Sequence, residues 1–186
     1  ALANPNNPTG TAFDAPAMRA MIARAADVGA VFLSDEAYFY FHDATALPWL
    51  EEFPNLVVSR TFSKAWGLAG IRLGYAVGAP AIIAEMQKLQ PIDHASSLAV
   101  AAGHYMLDHE SLVRDYAREV VASRGEVAHA LRALGCDVVD SVGNFLLVDA
   151  RRPATVVAAR LADAGILVST ALRLPFPNEY FRVSIG

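Results

Sequence analysis

Apolar residues fall along this chain in two alternating rhythms. Over residues 14–28, Met18, Met21, Ile22, Ala25 and Val28 recur at helical spacing behind Asp14 and Pro16, which predicts a helix that Gly29 stops. Residues 30–33 and 56–59 are short apolar runs of strand length, and 75–77 make a third. Residues 1–3 read as the end of a further strand running into Asn4-Pro5-Asn6-Asn7-Pro8-Thr9-Gly10, where two prolines and a glycine force a loop. Helical spacing returns at 80–89, 96–107 and 110–134, the last carrying Leu112, Val113, Tyr116, Val120, Val127 and Leu131. Past Gly135 the rhythm becomes strand, strand, helix, strand, strand over 137–139, 145–148, 154–164, 166–168 and 181–185. The stretch 172–178, with Pro175 and Pro177, is the least regular, and 90–95 reads as a loop.

Strands alternating with helices over residues 1–90 predict parallel strands in an α/β sheet, followed by a compact second domain. In such sheets ligands sit beyond the carboxyl ends of the strands. Those ends carry Asn7, Asp35, Tyr38 and Lys64.

Composition narrows the function classes. With 186 residues, 54% hydrophobic and 18% charged, the chain has enough apolar content for a real core. A net charge of -4 without a basic stripe argues against nucleic acid or an anionic membrane as partner. No apolar run approaches the roughly 20 residues of a membrane-spanning helix, which points to a cytoplasmic protein. Cys136 is the only cysteine, so there is no internal disulfide or cysteine cluster, and His42, His94, His104, His109 and His129 lack metal-site spacing. No metal is expected. The chain opens on Ala1 and ends abruptly at Gly186, as part of a longer polypeptide would.

The candidate chemistry centres on Lys64, one of two lysines with Lys88. It lies in an apolar, glycine-punctuated stretch with Arg60 and Arg72, where desolvation and like charge would depress an amine pKa and make a Schiff-base nucleophile. The same stretch reads equally as a surface loop between a strand and a helix. Such a lysine would need, beside an electron-sink cofactor, a carboxylate for a pyridine nitrogen, donors for a phenolic oxygen, a phosphate grip and a cation for the substrate. Asp35 at a strand end supplies the first, or serves as an ordinary turn aspartate. Thr61 and Ser63 with Arg72 suit a phosphate, since hydroxyls donate and a guanidinium binds its oxygens bidentately. Arg182 alternates with Phe181 and Val183 in a strand and would point opposite them, as a substrate-facing or an ordinary solvent-facing arginine would.

Four motifs taken together carry a resemblance. They are Asn4-Pro5-Asn6-Asn7-Pro8-Thr9-Gly10, Asp35-Glu36-Ala37-Tyr38, Ser63-Lys64-Ala65-Trp66-Gly67-Leu68-Ala69-Gly70-Ile71-Arg72-Leu73-Gly74, and Phe181-Arg182-Val183-Ser184-Ile185-Gly186. In this order and spacing they resemble the class I/II aminotransferases of pyridoxal-phosphate fold type I, with the histidinol-phosphate aminotransferase branch nearest. The resemblance implies the C-terminal part of that α/β fold: a mostly parallel sheet with helices on both faces, plus a small α+β C-terminal domain. Residues 1–108 would form part of the large cofactor-binding domain, and 109–186 a linking helix and the small domain.

It also implies pyridoxal 5'-phosphate as cofactor, amino acids and 2-oxo acids as substrates, and a homodimer in the complete protein. Lys64 would anchor the cofactor and shuttle the proton, and Asp35 would pair with the pyridine nitrogen. Asn7 and Tyr38 would bond the phenolic oxygen, Thr61, Ser63 and Arg72 the phosphate, and Arg182 the substrate α-carboxylate. Histidinol-phosphate aminotransferases usually carry an arginine for the substrate's phosphate where this chain has Ser169, with Arg173 as a possible substitute. The loop 90–95 differs from that branch as well. Decarboxylases and cyclases of the same fold, and aminotransferase-like sensor domains of transcription regulators, share the motifs and stay open. The family's N-terminal half is absent from the chain, so the piece alone is expected to be inactive.

Overall fold

The computed structural model describes residues 1–91, 95–170, 172 and 179–186. The expected loop at 90–95 and the irregular stretch 172–178, Arg173 included, fall largely outside them. The chain divides into two compact units, one of residues Ala1–Pro5 and Phe13–Ala117, the other of Asn6–Ala12 and Arg118–Gly186.

The first unit is built on a four-stranded sheet of order β1 (Leu2–Ala3), β2 (Phe32–Asp35), β3 (Leu56–Thr61) and β4 (Gly74–Gly78). β1 pairs with β2 and β2 with β3 in parallel, in a register that sets Asp35 opposite both Ala3 and Ser59. Three carboxyl ends therefore share one edge. Leu56, Val57 and Val58 are almost fully buried, and Leu56 and Val58 pack with Ile22 and Ala46. Burying aliphatic side chains of this size contributes about 1.5–3 kcal/mol each, enough to fix which end of β3 emerges beside β2.

β4 departs from the parallel arrangement expected of it. It runs antiparallel to β3, pairing Thr61 with Gly74. The connection contains a 3-10 turn at Ala69–Ile71 and no crossover helix, and Phe62 N–H donates to Leu73 O at 3.0 Å, which brings the chain straight back. Gly74 is needed there, because a Cβ would stand 2.8 Å from Arg60 O.

Helix α1 (Ala15–Asp27) starts where the pattern predicts: the Asp14 carboxylate accepts from Ala17 N–H at 2.8 Å, and Gly29 at φ +67° follows its end. Of its expected face only Met18 and Ile22 are buried, while Val28 is 61% exposed. β2 lies two residues later than expected, because Asn55 Nδ2 holds Ala30 O at 3.1 Å and Phe32 N–H is the first to donate across, to Asn55 O. Helices α2 (Pro80–Gln87) and α3 (Ser97–Leu107) follow, the second capped by Ser96 Oγ. Helix α4 (Glu110–Ala133) buries Val113, Ala117, Val120 and Ala128, and turns the expected core residues Leu112 and Tyr116 outward.

The second unit is a three-stranded antiparallel sheet of β5 (Asp137–Val138), β6 (Phe145–Asp149) and β7 (Tyr180–Ser184), with helix α5 (Ala154–Asp163). Phe145, Leu146, Leu147, Val148 and Phe181 form its core. The strand expected at 166–168 does not form. Leu167 is 86% exposed, and only Ser169 joins the sheet, exchanging backbone bonds of 3.0 and 2.8 Å with Arg182. The 6–12 loop belongs here: Val142 N–H donates to Gly10 O, and Gly10 at φ +74° leaves no room for a Cβ beside Ser141. Among the described residues no helix is long and apolar enough to cross a membrane, and no group of three or more potential ligands could hold a metal.

Candidate functional site

Six of the eight candidate residues come from the first unit and gather where β2 and β3 end. Asp35 closes β2 and is half-buried. Its Oδ1 accepts from Ala37 N–H at 3.1 Å and from Ser59 Oγ at 3.4 Å, which fixes the carboxylate plane. Oδ2 has no partner among the described residues. The aspartate thus makes its own turn and still presents an oxygen. Tyr38, 5% exposed, precedes the 3-10 turn Phe39–Phe41.

β3 delivers the others. Past Thr61 the chain leaves the sheet; Thr61 Oγ1 accepts from Ser63 N–H at 3.0 Å and donates to Leu73 O at 3.4 Å. Lys64 follows, with Nζ 5.5 Å from the Tyr38 ring centroid, inside cation–π range. Arg72 sits in left-handed backbone at φ 56° and donates from Nη1 to Ala69 O at 2.9 Å. A non-glycine residue at such a φ is held there by its surroundings.

The setting expected for Lys64 is only partly present. Lys64 is exposed, and the expected like charge of Arg60 is directed elsewhere: its guanidinium is engaged by buried Glu36 at 2.9 Å. The apolar residues of the stretch, Phe62, Ala65 and Trp66, point into the core and leave the lysine outside. Spacing could not tell inward neighbours from a surrounding wall.

Asn7 and Arg182 belong to the second unit, where they meet directly. Arg182 Nη1 donates to Asn7 Oδ1 at 2.7 Å, and Cζ lies 5.4 Å from the Phe145 ring centroid. Arg182 Nε is buried with no hydrogen-bond partner among the described residues. A buried guanidinium N–H without an acceptor costs free energy. Because Arg182 occupies Oδ1, the Asn7 amide has Nδ2 as its remaining donor, without a partner among the described residues. Strand alternation found Arg182; it could not reveal the Asn7 contact across 175 positions.

Glu36, present in the second motif without an assigned role, joins Ser59 and Tyr40 as residues that contact the site only through the fold. Ser59 reaches Asp35, and Glu36 joins β3 to the turn after β2. Tyr40 packs edge-on against Trp66 at 5.2 Å and donates to Glu110 at 3.2 Å. Burial and the Glu110 carboxylate push its phenol well above the usual tyrosine range, so it stays a neutral donor.

The family model for aminotransferase class I and II matches residues 1–186. Histidinol-phosphate aminotransferase 1 of Burkholderia lata is 39% identical over 186 residues, covering 100% of this chain and 51% of that protein. The protein of the same name from Nitrosococcus oceani is 36% identical over 190 residues, 100% of this chain and 50% of its own length. Among solved structures, histidinol-phosphate aminotransferase from Sinorhizobium meliloti in complex with pyridoxal-5'-phosphate superposes with a TM-score of 0.87 at 31% identity, over 99% of this chain and 52% of that one. The chain spans about half the length of the curated relatives it matches.

Proposed function

The chain belongs to the aminotransferase class I and II family, and from that premise we propose that the full-length protein is a pyridoxal-phosphate-dependent aminotransferase. It moves an amino group between an amino acid, or an amino-alcohol phosphate such as histidinol phosphate, and a 2-oxo acid. The observation that carries the reading is the set of polar groups at the ends of the parallel strands: the Lys64 amine, an Asp35 oxygen without a partner among the described residues, and the Thr61 and Ser63 hydroxyls.

That set fits the cofactor. Lys64 would hold its aldehyde carbon, Asp35 its pyridine nitrogen, Tyr38 and Asn7 its phenolic oxygen, and Thr61, Ser63 and Arg72 its phosphate. When bound, the cofactor supplies an electron sink for the carbanion left by loss of the α-proton. Asp35 would keep a pyridinium proton in place by charge, with its carboxylate already oriented by Ala37 and Ser59. The Lys64 amine would take the proton from the substrate α-carbon and return it one position away. Thr61 must turn its hydroxyl hydrogen from Leu73 O to serve a phosphate, and that bond is long at 3.4 Å. Arg182 receives the substrate α-carboxylate through its open Nε, while its Nη1 orients the Asn7 amide. The reading includes a homodimer for the full-length protein.

The test is a screen of amino donors and 2-oxo acids with full-length protein. Formation of a keto acid with conversion of the cofactor to its amine form is expected. Release of carbon dioxide instead would defeat transamination.

Ser169 bears on the substrate. It is paired backbone to backbone with Arg182, so its side chain flanks the carboxylate-binding residue. We expect Ser169→Arg to raise kcat/KM for a phosphate-bearing amino donor about tenfold over a donor lacking phosphate, since a charge-assisted bond contributes about 1.5–3 kcal/mol. An unchanged ratio would remove position 169 from the substrate's phosphate end.

A further inference from the structure

We infer that the buried ion pair Glu36–Arg60 is a positioning device, which sets the placement of Asp35 and Tyr38 against the Lys64 segment; the inference rests on the site read above. The backbone alone does not hold these parts together. The β2–β3 ladder has its last register pair at Asp35 and Ser59, followed by one bond from Glu36 N–H to Ser59 O at 2.9 Å. Beyond that point β2 leaves the sheet while β3 runs on to Thr61 paired with β4 alone, and both segments carry candidate site residues.

Side chains take over where the ladder stops. Glu36 Oε2 accepts from Arg60 Nε at 3.1 Å, Arg60 Nη2 at 2.9 Å and Thr45 Oγ1 at 2.8 Å, while Oε1 accepts from Ala46 N–H at 2.7 Å. Arg60 Nη2 also donates to Thr45 Oγ1 at 2.8 Å. The side chains of Arg60 and Glu36 are 10% and 2% exposed. Thus one carboxylate, two residues before Tyr38 and next to Asp35, is bound to a guanidinium four residues before Lys64.

Strand alternation gives this pair its direction. Ser59 and Thr61 lie on one face of β3, with Ser59 reaching Asp35, and Arg60 lies on the other. The ion pair therefore backs the two strand ends from behind the candidate site. A second connection runs through aromatic rings. Arg60 Cζ lies 3.5 Å from the Phe39 ring centroid; Phe39 meets Tyr40 at 5.1 Å, Tyr40 meets Trp66 at 5.2 Å, and Trp66 meets Phe62 at 5.0 Å. That chain starts on β3 and returns to the segment after it, so Lys64 is framed on both sides. Groups of this kind touch no reacting atom but hold those that do within the small tolerance proton transfer allows.

The experiment uses full-length protein loaded with pyridoxal phosphate and two variants, Arg60→Gln and the neutral pair Glu36→Gln/Arg60→Gln. The single variant is expected to lose about 10–100-fold in kcat, the range for losing a supporting contact, with KM changed less than about threefold. The double variant removes the unpaired buried charge and keeps an acceptor for Ala46 N–H, so it should unfold near the wild-type temperature. Its kcat should nevertheless stay about tenfold low, and the visible circular dichroism per bound cofactor should differ from wild type. Wild-type kcat and dichroism in the double variant would overturn the inference and leave the pair a stabilising contact only. If the single variant does not fold, the double variant decides. Failure of the wild-type protein to form any lysine adduct with the cofactor would overturn the underlying reading instead, and the inference with it.

Discussion

Lys64→Ala in the full-length protein is expected to abolish covalent capture of pyridoxal phosphate and to lower transamination by at least about 10²–10⁴-fold, the scale attached to a positioned proton-transfer group. The substitution removes an exposed side chain and leaves Phe62, Ala65 and Trp66 in the core, so loss of folding does not compete as an explanation. Lys88, the only other lysine of the chain, is the control. It is exposed near the end of α2, in an ion pair with Glu85 at 2.5 Å. Lys88→Ala should behave as wild type. Borohydride reduction followed by peptide mapping reads the anchor directly, and an unchanged visible spectrum in Lys64→Ala would rule Lys64 out.

Asp35→Asn separates binding from chemistry. Asparagine keeps an Oδ1 for Ala37 N–H and for Ser59, so the turn after β2 should survive. What it loses is the charge that holds a proton on the pyridine nitrogen. We expect kcat to fall about 10²–10³-fold, comparable to deleting one preorganised electrostatic group, while cofactor affinity changes much less. Pre-steady-state absorbance would place the loss in the proton-transfer step. Equal losses in cofactor affinity and kcat would make Asp35 a binding residue and nothing more.

Local chemistry decided most of what was legible beforehand. Asp14 and Gly29 bound α1 because capping and left-handed backbone are properties of single residues and their neighbours. The parallel pairing of β2 and β3 followed from a helix between apolar runs. The reversal at β4 did not, since strand direction depends on how the connection folds, and Gly74 passing close to Arg60 O is a contact made only in three dimensions. The failed strand at 166–168 has the same origin. Apolar residues such as Leu167 satisfy a strand pattern, but Ile166 N–H donates back to Leu161 O in the last turn of α5 at 2.8 Å, and of residues 166–169 it is Ser169 that pairs across, with Arg182.

The sequence by itself determined the identity of the chemical groups, the order of elements that carries them and the family, because those rest on residue type and spacing. Tertiary structure alone decided how each group is used. It left Lys64 exposed with its apolar neighbours turned inward, joined Arg182 to Asn7, and turned Arg60 from an expected like charge near the lysine into the buried partner of Glu36. A charge's effect depends on what it faces, and facing is set by strand alternation, register and packing among residues far apart in the chain.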